Sequence, residues 1–62
     1  MPYINVQITS GASKAQKSEL VAEFTQTLTR VLNKRPEHTH IVIQEIEPQN
    51  WGFKGQLTDQ LK

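Results

Sequence analysis

Pro2 is the residue whose type and position offer the most specific chemistry in this sequence. Once Met1 is removed, a proline at the chain start is a secondary amine whose nitrogen belongs to the backbone, so the following strand fixes its direction. An exposed α-amino group titrates near ~8, and apolar surroundings lower its pKa toward working pH, where a general base acts best. Trp51 and Phe53 are candidates for those surroundings. The alternative interpretation is that Pro2 only stiffens the start of a strand.

A metal or cofactor site is not indicated by the remaining residue types. His38 and His40 are two residues apart and would share one face of a strand, but a catalytic zinc needs a third protein ligand. Glu37 and Glu45 would alternate to the opposite face of a regular strand. The chain has no cysteine, and neither a serine triad nor a glycine-rich phosphate loop is recognisable. The residue types therefore give little support to a metal site at His38 and His40.

The size and charge of the chain exclude several classes of protein. Its 62 residues predict a single domain over residues 1–62. A net charge of +1 is too small for the electrostatic footprint of a nucleic-acid-binding protein. No apolar run approaches the ~20 residues that span a bilayer, and the chain start lacks the features of a secretory signal. We expect a cytoplasmic protein that binds neither nucleic acid nor membrane.

The first half of the chain has the pattern of a strand followed by a long helix. Residues Tyr3–Thr9 alternate between apolar and polar types, which predicts a strand. Ser13 and Gln16 have the form of a capping box, which predicts a helix from Ser13 to about Asn33. The apolar residues of this segment lie on one stripe at helical spacing: Leu20, Val21, Phe24, Leu28, Val31 and Leu32.

The second half of the chain ends the helix and adds a second strand. Lys34-Arg35 place positive charge at the predicted helix end, and Pro36 stops the helix. Thr39–Ile46 is rich in β-branched residues and typical of a strand covered on both faces. A crossover of this length makes the two strands parallel, with the helix on one face. Pro48–Gly55 has the residues of a short hairpin.

This α+β arrangement, a β-α-β subunit, is too small to cover its own sheet. One helix covers one face, and a core in a chain below ~80 residues seldom contributes more than ~3–5 kcal/mol. Without disulfides, the most economical source of further burial is an identical subunit. We therefore expect self-association.

Three parts of the chain carry a family resemblance. They are Met1-Pro2 before an alternating strand, the segment Ile41–Ile46, and Asn50-Trp51-Gly52-Phe53 with Gly55. In these features the sequence resembles the 4-oxalocrotonate tautomerase family along nearly its whole length. The resemblance implies dimers with a four-stranded sheet, three of which assemble into a homohexamer. It also implies an isomerase that uses Pro2, after loss of Met1, to move a proton in an enol or 2-oxo acid without cofactor or metal.

The chain departs from this family at two substrate-binding positions. The family has an arginine after the first strand and another early in the second, where this sequence has Ala12 and His40. Neither residue can make an arginine's bidentate contact with a carboxylate. An imidazole at His40 can donate a hydrogen bond to a carbonyl or carry charge near neutral pH, and the alternative is a partly exposed strand histidine. Trp51 stands where the family has an aromatic residue beside the proline.

Two lysines are candidates for the missing positive charge. Lys14 and Lys17 lie in the first turns of the predicted helix, and Lys14 is nearer Ala12. The alternative is a pair of solvated surface lysines. The sequence thus predicts Pro2 as the catalytic base, with His40, Trp51 and Lys14 binding the substrate.

The function predicted is a tautomerase that acts on a 2-hydroxydienoate or the enol of a 2-oxo acid. Two alternatives stay open at this point. Pro2 could instead hydrate an unsaturated acid or form a covalent bond with it, or the chain could be an oligomeric binding protein without activity.

Overall fold

The computed structural model of the protein describes residues 2–60. Two parallel strands, β1 (Tyr3–Thr9) and β2 (His40–Ile46), are connected by one helix, α1 (Lys14–Leu32). An antiparallel hairpin of β3 (Gly52–Phe53) and β4 (Gln56–Leu57) follows. Short 3₁₀ turns cover Pro36–His38, Pro48–Asn50 and Thr58–Gln60. The predicted β-α-β fold with a C-terminal hairpin is confirmed.

The capping box predicted at the start of α1 is present. The Ser13 hydroxyl accepts a hydrogen bond from the Gln16 N–H at 3.1 Å, and the Gln16 side chain accepts one from the Ser13 N–H at 2.9 Å. Both bonds satisfy N–H groups that have no partner within a helix. The helix therefore begins where the sequence predicts. The strand before it, Tyr3–Thr9, also has the predicted bounds.

α1 ends near Asn33, as the sequence predicts, but Asn33 and not Pro36 is the residue that ends it. Asn33 adopts the left-handed conformation, with φ 57°, and its N–H donates to the Thr29 carbonyl at 3.0 Å. Asparagine tolerates this conformation, which ends helices. Lys34 and Arg35 consequently lie beyond the helix, and Arg30 is the basic residue of its last turn. Pro36 begins the next turn and does not itself stop the helix.

One face of the parallel pair is covered by α1. Ile41, Ile43 and Glu45 of β2 share this face because side chains alternate along a strand. Glu45 forms an ion pair with Lys17 of α1, which identifies the face as the one that the helix covers. The residues of β1 paired with these three are Ile4, Val6 and Ile8.

The opposite face of the parallel pair carries no covering element within residues 2–60, and its residues are mainly polar. The Gln44 side chain accepts hydrogen bonds from Gln7 at 3.1 Å and from Asn5 at 3.5 Å, which link the two strands. Tyr3 is 60% exposed and Val42 is 43% exposed on this face. Within one subunit β2 is thus covered only on the face of Ile41 and Ile43, as expected for a sheet with a single helix. Cover for the other face, which carries Val42 and Ile46, stays a prediction about the assembly.

The hairpin closes through a two-residue turn. Lys54 and Gly55 both have positive φ, 55° and 77°, as a tight hairpin of this length requires. The predicted hairpin began at Pro48, but residues Pro48–Asn50 form a 3₁₀ turn and the hairpin extends to Leu57. Proline suits the first position of such a turn because its φ is already fixed.

The subunit is flat and incompletely packed. Its radius of gyration is 14.6 Å, against about 10 to 11 Å for a compact chain of this length. No hydrophobic residue among those described is fully buried, and Val31, Leu32 and Phe53 are each more than half exposed. None of the described helices is long and apolar enough to span a bilayer.

Candidate active site

Pro2 is held against the start of β2. Its carbonyl accepts a hydrogen bond from the His40 N–H at 3.1 Å. Pro2 thus precedes Tyr3, which is the first residue of β1 to pair with β2 and pairs with His40. The proline itself is half-buried. The parallel sheet thus fixes the backbone that carries the proline nitrogen.

The His40 side chain lies on the other side of the sheet from the proline ring. His40 pairs with Tyr3 and is exposed with it on the uncovered face. Alternation along β1 places Pro2 on the same side as Ile4, toward α1. The structure therefore brings the backbones of Pro2 and His40 together but directs their side chains to opposite faces.

At the far end of the sheet, Glu45 connects β2 to the loop between β1 and α1. Its carboxylate forms an ion pair with Lys17 and accepts the Gly11 N–H at 3.3 Å. These hydrogen bonds, the one from Lys17 first, lower the pKa of Glu45 below its usual value. Gly11 has φ 129°, a conformation that side chains rarely adopt. Lys17 is thus already paired.

Sequence reasoning missed this cluster, although a signal for it exists. Glu45 continues the alternation of Ile41 and Ile43, so its side chain is expected on the face that the helix covers. A carboxylate placed there is costly unless an oppositely charged group pairs with it. Lys17 lies three residues before Leu20 and seven before Phe24, on the same stripe of α1. Reading the two patterns together would have predicted the ion pair.

Lys14 and Trp51 lie beyond the end of the sheet opposite to Pro2. Lys14 and Ala12 follow the C-terminal end of β1, and a seven-residue strand spans about 20 Å. Trp51 follows β2, where its carbonyl accepts hydrogen bonds from the Thr58 N–H at 2.8 Å and from the Thr58 hydroxyl at 2.7 Å. One subunit therefore does not assemble the predicted site residues into a single pocket.

A metal-binding cluster is not found among the described residues: no three His, Asp or Glu side chains converge. His38 lies in a 3₁₀ turn and only His40 belongs to β2, so the strand geometry that would pair the two imidazoles does not apply.

Comparisons with known proteins agree with the fold. The sequence model of tautomerase enzymes matches residues 2–60. Probable tautomerase K2 of Dickeya dadantii is 42% identical over 57 residues, which cover 90% of this chain and 85% of the relative. A crystal structure described as apo unFused 4-OT is 30% identical, with a TM-score of 0.93 and 98% and 100% of the two chains covered. A heterohexamer 4-oxalocrotonate tautomerase from Chloroflexus aurantiacus is 22% identical, with a TM-score of 0.92 and both chains fully covered. The chain therefore belongs to the tautomerase family and has the fold of 4-oxalocrotonate tautomerase.

Proposed function

We propose that the protein is a cofactor-independent tautomerase that moves a proton in a 2-hydroxydienoate or in the enol of a 2-oxo acid, with Pro2 as general base. The observation that carries the proposal is the hydrogen bond from His40 to the Pro2 carbonyl. It fixes the nitrogen of Pro2 relative to a rigid sheet, in a chain of the tautomerase family.

The proposed step needs one basic group. The neutral amine of Pro2 takes the proton of the 2-hydroxyl group, and the C2–O bond becomes a carbonyl. The displaced electron pair moves along the conjugated chain to a carbon atom, which takes the proton back from the protonated proline. The amine is regenerated, and no other reactant is consumed.

A second copy of the chain completes the proposed site. In a two-fold symmetric dimer that joins the sheet edges, the same strand of each copy lies antiparallel to its counterpart. Pro2 of one copy is then near the far end of the other copy's sheet. That end carries Lys14 and Trp51, which would supply a positive charge and an apolar wall. The exposed apolar residues of the subunit support assembly into dimers, and a homohexamer of three such dimers is the state we propose.

The amino-terminal mechanism is tested by comparing protein that begins at Pro2 with protein that retains Met1, each verified by mass. An acylated proline nitrogen has no basic lone pair. We expect the processed protein to convert a suitable enol and the Met1-retaining protein to be slower by about 10²- to 10⁴-fold, the usual contribution of a general base.

The same assay separates the alternatives. Equal turnover by both forms would reject the proline mechanism. Hydration of an unsaturated acid, with no proton transfer in any enol, would favour the hydratase alternative. Absence of turnover with every enol and unsaturated acid tried would favour a binding protein.

A further inference from the structure

We propose that Arg35 binds the carboxylate of the substrate beside Pro2, from within the same subunit. This inference rests on the proposed function and names a residue for the positive charge that Ala12 and His40 do not supply. It follows from the turn that joins α1 to β2.

Arg35 is close to Pro2 because α1 runs back along the sheet. The Arg35 carbonyl accepts a hydrogen bond from the Thr39 hydroxyl at 2.8 Å, and the adjacent His40 N–H donates to the Pro2 carbonyl at 3.1 Å. Covalent geometry allows the Thr39 hydroxyl and the His40 nitrogen to be at most about 5 Å apart. The carbonyl oxygens of Arg35 and Pro2 therefore lie within about 11 Å of each other.

The backbone of Arg35 is fixed. Its carbonyl also accepts the His38 N–H at 3.0 Å. Pro36 follows it and restricts the preceding residue to extended conformations, which agrees with φ −83° and ψ 134° at Arg35. A cation on a fixed turn loses less entropy when it binds a ligand than one on a mobile loop.

The guanidinium is available for a ligand. Arg35 is exposed, and the ion pair found within residues 2–60 is that of Lys17 with Glu45. Glu37 is the acidic residue of the same turn and is not paired with Arg35 there. Lys17, in contrast, is already neutralised, and Lys14 lies at the other end of the subunit.

The chemistry of the proposed substrate suits this arrangement. In a 2-hydroxydienoate the carboxylate is bonded to C2, next to the oxygen that exchanges the proton. An arginine side chain reaches about 6 to 7 Å from its Cα, so a molecule of this size can contact both residues. The planar guanidinium binds a carboxylate through two parallel hydrogen bonds, which orients the molecule as well as holding it.

The test compares a 2-hydroxydienoate with its uncharged methyl ester. We expect Arg35→Gln to lower kcat/KM for the acid by roughly 10- to 100-fold, as for loss of a charged hydrogen bond, and to leave the ester within about twofold of wild type. Arg35→Lys should restore part of the loss, because it keeps the charge but not the bidentate contact. Arg30→Gln is the matched control, since it removes an exposed arginine from the last turn of α1.

The outcomes distinguish this inference from the proposed function. If wild type converts the acid and Arg35→Gln does so equally well, Arg35 is not a binding residue while the tautomerase proposal stands. An equal loss with acid and ester would also overturn the inference, because it would indicate a structural effect. If wild type converts no enol, titration calorimetry with a 2-oxo acid still decides whether Arg35→Gln weakens carboxylate binding at least tenfold, as we expect, or leaves it unchanged.

Discussion

The His40 N–H donates a hydrogen bond to the carbonyl of Pro2 at 3.1 Å, so the first residue after Met1 is attached to the start of the second long strand. This contact uses only the backbone of His40, whose side chain points to the uncovered face. The backbone contact of His40 can therefore be tested separately from its side chain.

Two substitutions at His40 make this test. His40→Ala keeps the N–H, and we expect it to cost under ~1 kcal/mol of stability because the position is exposed. His40→Pro removes the donor, and the extended conformation of Thr39, with ψ 122°, is compatible with a following proline. We expect the proline variant to lose at least tenfold more activity than the alanine variant. Circular dichroism checks that both fold, and equal activities would show that the hydrogen bond does not position Pro2.

The sequence predicts the elements well where the pattern is local. Alternation in Tyr3–Thr9 and the Ser13–Gln16 capping box depend on neighbouring residues, so both are found as predicted. The end of α1 is also found near Asn33, but the helix is ended by the left-handed conformation of Asn33 and not by Pro36. The pairing of Glu45 with Lys17 joins residues far apart in sequence, so it follows from neither local pattern alone and only from the strand and helix patterns read together.

The candidate site is predicted less completely for the same reason. Pro2 is identified by its place at the chain start, which needs no tertiary information. Lys14 and Trp51 lie at the opposite end of the subunit from Pro2, so only in the proposed dimer could they come close to it. Residue types indicate which chemical groups are available for a site. Which of these groups lie close together depends on the register of the sheet and on the assembly of the subunits.

Trp51 is predicted to keep the surroundings of the proline amine apolar. In Trp51→Ala, water enters this region and favours the charged amine, so we expect the acidic limb of kcat/KM to move to higher pH. The pH profile of turnover measures this shift. Trp51→Phe is the matched control because it keeps an aromatic ring, and an unmoved acidic limb in Trp51→Ala would place the indole outside the site.

Assembly is predicted to occur in multiples of two, with six chains the expected state. The subunit buries no hydrophobic residue fully, and Tyr3 and Val42 remain exposed on its uncovered face. Native mass spectrometry measures the number of chains. We expect Val42→Glu to weaken assembly, because burying an unpaired carboxylate is costly, whereas Gln26→Glu on the exposed side of α1 is a control for added charge. A wild-type monomer at micromolar concentration would contradict the prediction.

Acid is predicted to destabilise the protein through Glu45. The ion pair with Lys17 and the hydrogen bond from Gly11 hold the pKa of Glu45 below its ordinary value, so in acid the unfolded chain binds a proton more readily than the folded one. Its contribution to stability is therefore present above the unfolded-state value, near 4.5, and is lost as the pH falls through the lowered value.

The thermal midpoint, measured from pH 7 to pH 3 at one protein concentration, reports this loss. Glu45→Gln keeps an oxygen that can accept the Gly11 N–H but has no proton to gain, so its midpoint should fall less steeply than that of wild type below pH 4.5. Glu47→Gln removes the same charge two residues away and should follow the wild-type curve. If Glu45→Gln and wild type fall in parallel, the ion pair does not contribute to stability.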